Sequence, residues 1–172
     1  MYNRRFIPFE VLMPDGDYTA MSLRFSWSRL DELNTHDFYN IVKAREAVFV
    51  VEQRCAYQEI DELDPLAWHL SATVDGQLAA YIRVVGPGDK FAEPSIGRVM
   101  TLKAFRGHQY GRALMGEAVR FTEQTYPGLG IKIGAQVYLN VFYESFGFKR
   151  ISEPYDEDGI PHIDMVKPAS HA

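Results

Sequence analysis

At 172 residues the chain is long enough to bury one substantial core and too short for two comfortable domains. Hydrophobic residues make up 47% and charged residues 24%, a globular mixture, and the net charge of −5 argues against a general nucleic-acid binder, which carries a basic footprint. Cys55 is the single cysteine, which excludes an internal disulfide and fits a reducing compartment.

Residues 1–20 have poor periodicity and end in the turn-like MPDGD; we read them as an N-terminal extension to a single domain spanning 21–172. Arg4 and Arg5 precede an apolar patch, but acidic residues and prolines interrupt it before a signal-like core develops. No run approaches the roughly 18 apolar residues of a spanning helix. The expectation is a cytoplasmic protein with neither membrane nor nucleic acid as partner. The aromatic residues of the extension suit packing onto the domain or onto a second subunit, so a homodimer is among the expected assemblies.

Leu23, Phe25 and Trp27 alternate with Ser22, Arg24, Ser26 and Ser28, the period of a half-buried strand. Asn34 or Thr35 offers an N-cap to a helix through DFYNIVKAREAVFVVEQ, with an apolar stripe of Phe38, Ile41, Val42, Ala44, Val48 and Phe49. The acidic loop RCAYQEIDELDPL follows. AWHLSATV and QLAAYIRVV read as strands joined through Asp75-Gly76, a strong hairpin signal. Beyond the loop GPGDKFAEP, SIGRVMTL is a fourth strand, and a helix runs from about Gln109 to Gln124. YPGLG breaks the chain before a buried strand IKIGAQV, a short helix YLNVFYESF, a strand GFKRISEPY and a turn DEDG into PHIDMVK. Such a mixed pattern indicates an α+β (α/β/α) domain on one sheet.

Between SIGRVMTL and the following helix lies a basic turn with two glycines, RGHQYGR. An early helix offers backbone N–H groups without partners and the positive end of its dipole. Glycines let an anion approach those amides, and Arg106 and Arg112 add charge, so the turn reads as a phosphate or pyrophosphate cradle. It is not a P-loop, since neither glycine is followed by lysine, and its order does not fit a dinucleotide fingerprint.

With Arg106, Gly107 and Gly111 in place, the turn resembles the pyrophosphate loop of the Gcn5-related N-acetyltransferase (GNAT) family, although Gln109 stands where a glycine is usual. FYESFGF resembles the last-helix signature of the same family, with Tyr143 four residues before Gly147-Phe148. VFVVEQRCAYQEID, AQVYLNVFYESFGF and EDGIPHIDM resemble its ElaA-like subgroup. The resemblance runs from roughly Ser22 to Lys167. It implies a mixed, mostly antiparallel sheet flanked by helices and splayed between the fourth and fifth strands, SIGRVMTL and IKIGAQV, with acetyl-coenzyme A in the gap. It further implies that the main chain of Val99, Met100 and Thr101 pairs with the pantetheine arm. The amides of Arg106, Gly107, His108, Gln109, Tyr110, Gly111 and Arg112 would take the pyrophosphate, and Gln136 would contact the arm.

The implied activity is acetyl transfer to a primary amine, small molecule or peptide, by direct attack in a ternary complex. A backbone N–H near Val99 or Met100 would stabilise the developing oxyanion, worth ~3 kcal/mol, and Tyr143 would protonate the departing thiolate. Glu52, Glu59, Asp61, His69 and His162 are the candidates for the acceptor site or the base. His69 shares a polar strand face with Ser71 and Thr73, suggestive of a cleft, although a satisfied structural histidine is the stronger reading for it and for His162. The EIDELD loop could attract a cationic amine or simply be solvated. No compact ligand spacing calls for a metal, and no activating pattern surrounds Cys55. Two other readings stay open: a non-catalytic acyl-coenzyme A sensor or docking module, and an acyltransferase like the acyl-homoserine lactone synthases, which REAVFVVEQ and EIDELD resemble.

Overall fold

The computed structural model describes residues 5–12 and 18–169. Among these residues, strands β1 (Arg5–Leu12), β2 (Tyr18–Arg29), β3 (Trp68–Val74), β4 (Gln77–Val85), β5 (Ser95–Thr101), β6 (Ile131–Gln136), β7 (Lys149–Arg150), β8 (Tyr155–Glu157) and β9 (Ile160–Lys167) form one sheet. Its order is β1-β2-β3-β4-β5-β6-β9-β7, with β8 also on β9. Every pairing is antiparallel except β5 with β6, which is parallel. The expected mixed sheet is therefore present.

The helices are α1 (Thr35–Arg45), α2 (Tyr110–Thr125) and α3 (Asn140–Glu144). On one face α2 drives Leu114, Met115, Ala118 and Phe121 into a core shared with Leu23, Phe25, Leu70, Ile82, Ile133 and Met165. Trp27 stacks on Phe121 with ring centroids 3.7 Å apart, and its indole N–H donates to Glu117 Oε1 at 3.1 Å. On the other face Ile41, Ala44 and Val48 close over Tyr81 and Met100. Asn34 caps α1 by accepting from the Asp37 N–H at 2.9 Å. The hairpin turn expected at Asp75-Gly76 puts both residues at positive φ, 49° and 80°, as a tight β3–β4 connection requires.

Three expectations change. Residues 5–12, read as part of an extension, form the sheet's first strand, so the fourth and fifth expected strands are β5 and β6; the MPDGD turn lies outside the described residues. GFKRISEPY does not run as one strand: only Lys149–Arg150 and, after a break, Tyr155 at the start of β8 pair with β9, because the Asp164 N–H turns to Ser152 Oγ and Pro154 has no amide N–H to offer. The α1 helix does not run on as a regular helix to Gln53. Over Glu46–Glu52 it widens to a π-helix, with the Gln53 N–H reaching Val48 O and the Cys55 N–H reaching Val50 O.

Beneath that wide turn lies a buried lattice of charges. Arg45, 1% exposed, donates from Nε to Glu59 Oε2 at 2.9 Å and from Nη1 to Asp64 Oδ1 at 2.6 Å. Arg83 reaches Asp64 at 2.9 Å and Asp61 at 2.5 Å, and Arg98 reaches Glu59 at 2.7 Å and Asp61 at 3.1 Å. Burial alone would raise the Asp64 carboxyl, but hydrogen bonds from Arg45 and Arg83 overcome that and hold it at about 2. A carboxyl depressed on folding stabilises fully above its unfolded pKa, roughly 4, and loses that stabilisation as pH falls toward the folded value.

Acid titration of the far-ultraviolet signal should therefore show weakening between about pH 4 and pH 2. Arg45→Met strands two buried carboxylates and should cost about 3–5 kcal/mol of unfolding free energy in urea. A loss below about 1 kcal/mol would mean that Arg83 and Arg98 neutralise Glu59 and Asp64 unaided.

Candidate active site

The site begins with an irregularity in β5. Tyr81 pairs with Met100 and Arg83 with Gly97, so Ile82 alone faces both Arg98 and Val99. This is a bulge, and Arg98 takes φ +52° within it. A left-handed arginine costs about 1–2 kcal/mol locally, and the ion pairs to Glu59 and Asp61 hold it there. After the single pair Ser95 with Lys132, no further register joins β5 to β6 among the described residues. The strands part.

The parting opens a cavity of about 470 Å³. Gly97 to Thr101 form one wall and Gly134 and Gln136 of β6 the other, while the wide turn adds Val48, Phe49, Glu52 and Gln53. From the far side come Tyr138, Phe142 and Tyr143, and the β8–β9 hairpin contributes Glu157, Asp158, Ile160 and His162. A second hollow of about 370 Å³ shares Thr101, Arg106, Gly111 and Phe142 with it and extends over the basic turn.

In that turn Gly107 sits at φ +88° and Gln109 at φ +58°, ψ 14°, immediately before α2. Gln109 thus adopts the left-handed geometry that glycine would reach without strain. Among the described residues, the backbone amides of Gly107, His108, Gln109 and Gly111 have no hydrogen-bond acceptor, and α2 runs 16 residues behind them. A Cβ on Gly111 would come within 3.2 Å of Thr101 Oγ1, so a larger residue would crowd β5. Arg106 donates to Thr101 O at 3.0 Å and, through both terminal nitrogens, to Glu52 at 2.7 and 3.1 Å. Arg106 in turn holds the Glu52 carboxyl below its usual range. Arg112 donates to Ser145 Oγ at 3.0 Å and lies over the rings of Phe142 and Phe146. An amide-rich turn backed by a helix dipole and two arginines fits a pyrophosphate.

Val99, Met100, Thr101, Arg106, Gly111, Gln136 and Tyr143 line the main cavity. Gly107, Gln109, Tyr110 and Arg112 line the second, whereas His108 lines neither and stacks on Tyr110. Tyr143 is buried between the edges of Phe142 and Phe148, and burial pushes its hydroxyl well above the usual phenol value. Tyr143 lines the cleft, and no hydrogen bond to its hydroxyl is found among the described residues.

Of the five acceptor-site or base candidates, Glu52 and His162 line the cleft and Glu59, Asp61 and His69 do not. Glu59, Asp61 and Asp64 are consumed by arginines, which takes three of the four EIDELD carboxylates out of play and leaves Glu62 exposed at the surface. His69 is 1% exposed, bonded through Nδ1 to the Tyr81 hydroxyl at 2.6 Å and through Nε2 to Asp64 O at 3.0 Å, and burial lowers its pKa. It is a structural histidine. His162 differs: its Nδ1–H donates to Ile160 O at 2.8 Å, which leaves Nε2 as an acceptor. Tyr57, Lys90 and Glu157 also line the cleft and were missed. Each stands in a polar loop or hairpin, where nothing local separates it from surface residues.

Residues 34–169 match the family described as Acetyltransferase (GNAT) domain. The chain belongs to that family. It is 39% identical to protein ElaA of Escherichia coli (strain K12) over 138 residues, covering 79% of this chain and 90% of ElaA. A UPF0039 protein of Synechocystis sp. is 41% identical over 147 residues, covering 85% of this chain and 96% of that one. The crystal structure of an acyl-CoA N-acyltransferase from Pseudomonas aeruginosa superposes with a TM-score of 0.80 at 37% identity, covering 85% of this chain and 99% of that chain.

Relief of left-handed strain should make Gln109→Gly neutral to about 1 kcal/mol stabilising, while Gly107→Ala should cost about 1–2 kcal/mol. Thermal unfolding reads both. Destabilisation by Gln109→Gly would mean that the glutamine side chain itself holds the turn.

Proposed function

We propose that the protein transfers the acetyl group of acetyl-coenzyme A to a primary amine within a ternary complex. One observation carries this reading: the Arg98 bulge frees the β6-facing edge of β5 along a cleft that joins the amide-rich turn to Tyr143 and His162. A free strand edge suits a pantetheine arm, which carries amides of its own. The amides of Gly107 to Gly111, with Arg106 and Arg112, would hold the pyrophosphate, and Gln136 would meet the arm.

The thioester supplies an electrophilic carbonyl and a thiolate leaving group. The chain's residues do the rest. A backbone N–H of Val99 or Met100 faces the developing negative oxygen, a contribution of about 3 kcal/mol. His162 Nε2 accepts the amine proton, and Tyr143 gives its proton to the departing sulfur. Glu52 is not assigned as base, because both its oxygens are occupied by Arg106.

Calorimetric titration with acetyl-coenzyme A should give micromolar affinity, weakened at least tenfold by Arg106→Glu. Tyr143→Phe should then bind normally while losing about 10²-fold in thiol release, and His162→Gln should lower kcat by about 10²-fold with binding intact. No binding of acetyl-coenzyme A overturns the reading. Binding without thiol release from any amine would instead make the protein a non-catalytic acyl-coenzyme A module.

A further inference from the structure

The acetyl-transfer reading leaves the acceptor's chemistry undefined, and the charges of the cleft narrow it. Of the arginine and lysine side chains that line it, Arg106 is paired with Glu52 and Arg98 with Glu59 and Asp61. Lys90 is different. Among the described residues no carboxylate lies within the 4.0 Å of an ion pair from its ammonium.

Position excludes one use for that charge. Lys90 belongs to the loop between β4 and β5, before β5 begins at Ser95, whereas the basic turn lies beyond the strand's other end at Thr101. Six residue steps of about 3.3 Å put roughly 20 Å of strand between them. Lys90 is therefore not part of the pyrophosphate cradle.

The groups it shares the cleft with are complementary to it. Glu157 and His162 approach each other to 3.9 Å on the β8–β9 hairpin. A Cβ on Gly134 would lie 3.9 Å from Glu157 Oε2 and 3.2 Å from the Tyr155 hydroxyl, so this carboxylate stands directly over bare β6 backbone. Tyr57 adds a phenol that burial pushes up to about 12 and so keeps as a hydrogen-bond donor. The acceptor thus meets a carboxylate and an imidazole beside an ammonium and a phenolic O–H, with Glu157 itself within electrostatic reach of Lys90.

We propose that the acceptor is a small amine bearing its own carboxylate, an amino acid or a close analogue. Lys90 binds the carboxylate, and Glu157 with His162 receives the ammonium. The inference rests on the acetyl-transfer reading and names its acceptor. In the step it describes, the amine nitrogen bonds to the acetyl carbon as the carbon–sulfur bond breaks. The bound ammonium first gives one proton to water, since only the neutral nitrogen can attack. His162 takes the second as the amide forms, and Tyr143 protonates the thiolate and is reprotonated from solvent. A second cation from a di- or polyamine would meet the like charge of Lys90, a repulsive element that discriminates between amine classes.

The test measures thiol release from acetyl-coenzyme A with matched pairs: histidine and histamine, tryptophan and tryptamine, lysine and cadaverine, each amino acid also as its methyl ester. The free amino acid of at least one pair should exceed both its amine and its ester by tenfold or more in kcat/KM. For that acceptor Lys90→Met should raise KM at least tenfold, Lys90→Arg should restore most of it, and acetyl-coenzyme A affinity by calorimetry should stay unchanged. Equal or better turnover of the decarboxylated amines, a preference that survives Lys90→Met, or no turnover of any of the three amino acids with acetyl-coenzyme A bound would each overturn this inference alone. Failure of acetyl-coenzyme A to bind, seen before any acceptor is added, would overturn the transfer reading and this inference with it.

Discussion

The lattice of Arg45, Arg83 and Arg98 with Glu59, Asp61 and Asp64 is the constraint on which the site rests. Six formal charges cancel within it, each with hydrogen bonds to an opposite neighbour. Burying charge is costly, and an apolar replacement of the whole set could be equally stable. What an apolar set could not do is fix direction. Charge-assisted hydrogen bonds specify where each guanidinium plane lies, and through Arg98 they specify the backbone. A left-handed arginine in mid-strand persists because Glu59 and Asp61 hold its side chain from outside the sheet. The bulge, the parting of β5 from β6 and the cleft follow from that.

The same lattice sets the electrostatics of the cleft. Because its carboxylates are spent on arginines, the charge of EIDELD does not spread into the cavity. Glu52 and Arg106, although more exposed, do likewise at the other end. Exposed pairs of this kind are worth little and exchange readily. A pyrophosphate on the turn would compete with Glu52 for Arg106, a trade of one anion for another that keeps the arginine oriented. Of the cationic side chains lining the two hollows, Arg112 at the turn and Lys90 beyond the other end of β5 have no carboxylate within ion-pair distance among the described residues.

Much of this was legible in the sequence where the determinants are local. Alternation in LRFSWS, the Asp75-Gly76 turn, and the spacing of glycines before α2 each act over a few residues, and the elements they mark are where they were expected. The lattice was not legible, because its partners come from α1, a loop, β4 and β5. A signal did exist: Arg45 interrupts an apolar stripe between Ala44 and Val48, and Arg83 interrupts the buried run of β4. A guanidinium in a buried register demands carboxylates, and EIDELD held the nearest supply. His69 misled for the converse reason. Alternation with Ser71 and Thr73 describes one face of a strand without saying what covers it. β1 was hidden by Pro8, which is tolerable because β1 is an edge strand and an edge leaves one row of amides unpaired.

Burial of Tyr143 poses the hardest question for the proposed chemistry, since it makes the phenol a weaker acid. The objection loses force once the acceptor of its proton is considered. A thiol is ordinarily more acidic than a phenol by about 1.5 pKa units, which would make the transfer mildly uphill in water. A thiolate expelled into the same buried space is desolvated as well, and desolvation disfavours that anion as it disfavours phenolate. The two pKa values rise together, and the gap between them need not widen. Meanwhile the raised value keeps Tyr143 protonated across the whole working pH range, so the donor is always loaded when the sulfur leaves. Burial therefore exchanges acid strength for readiness, and proton transfer coupled to carbon–sulfur cleavage, rather than a prior ionisation, is the route such a residue can serve.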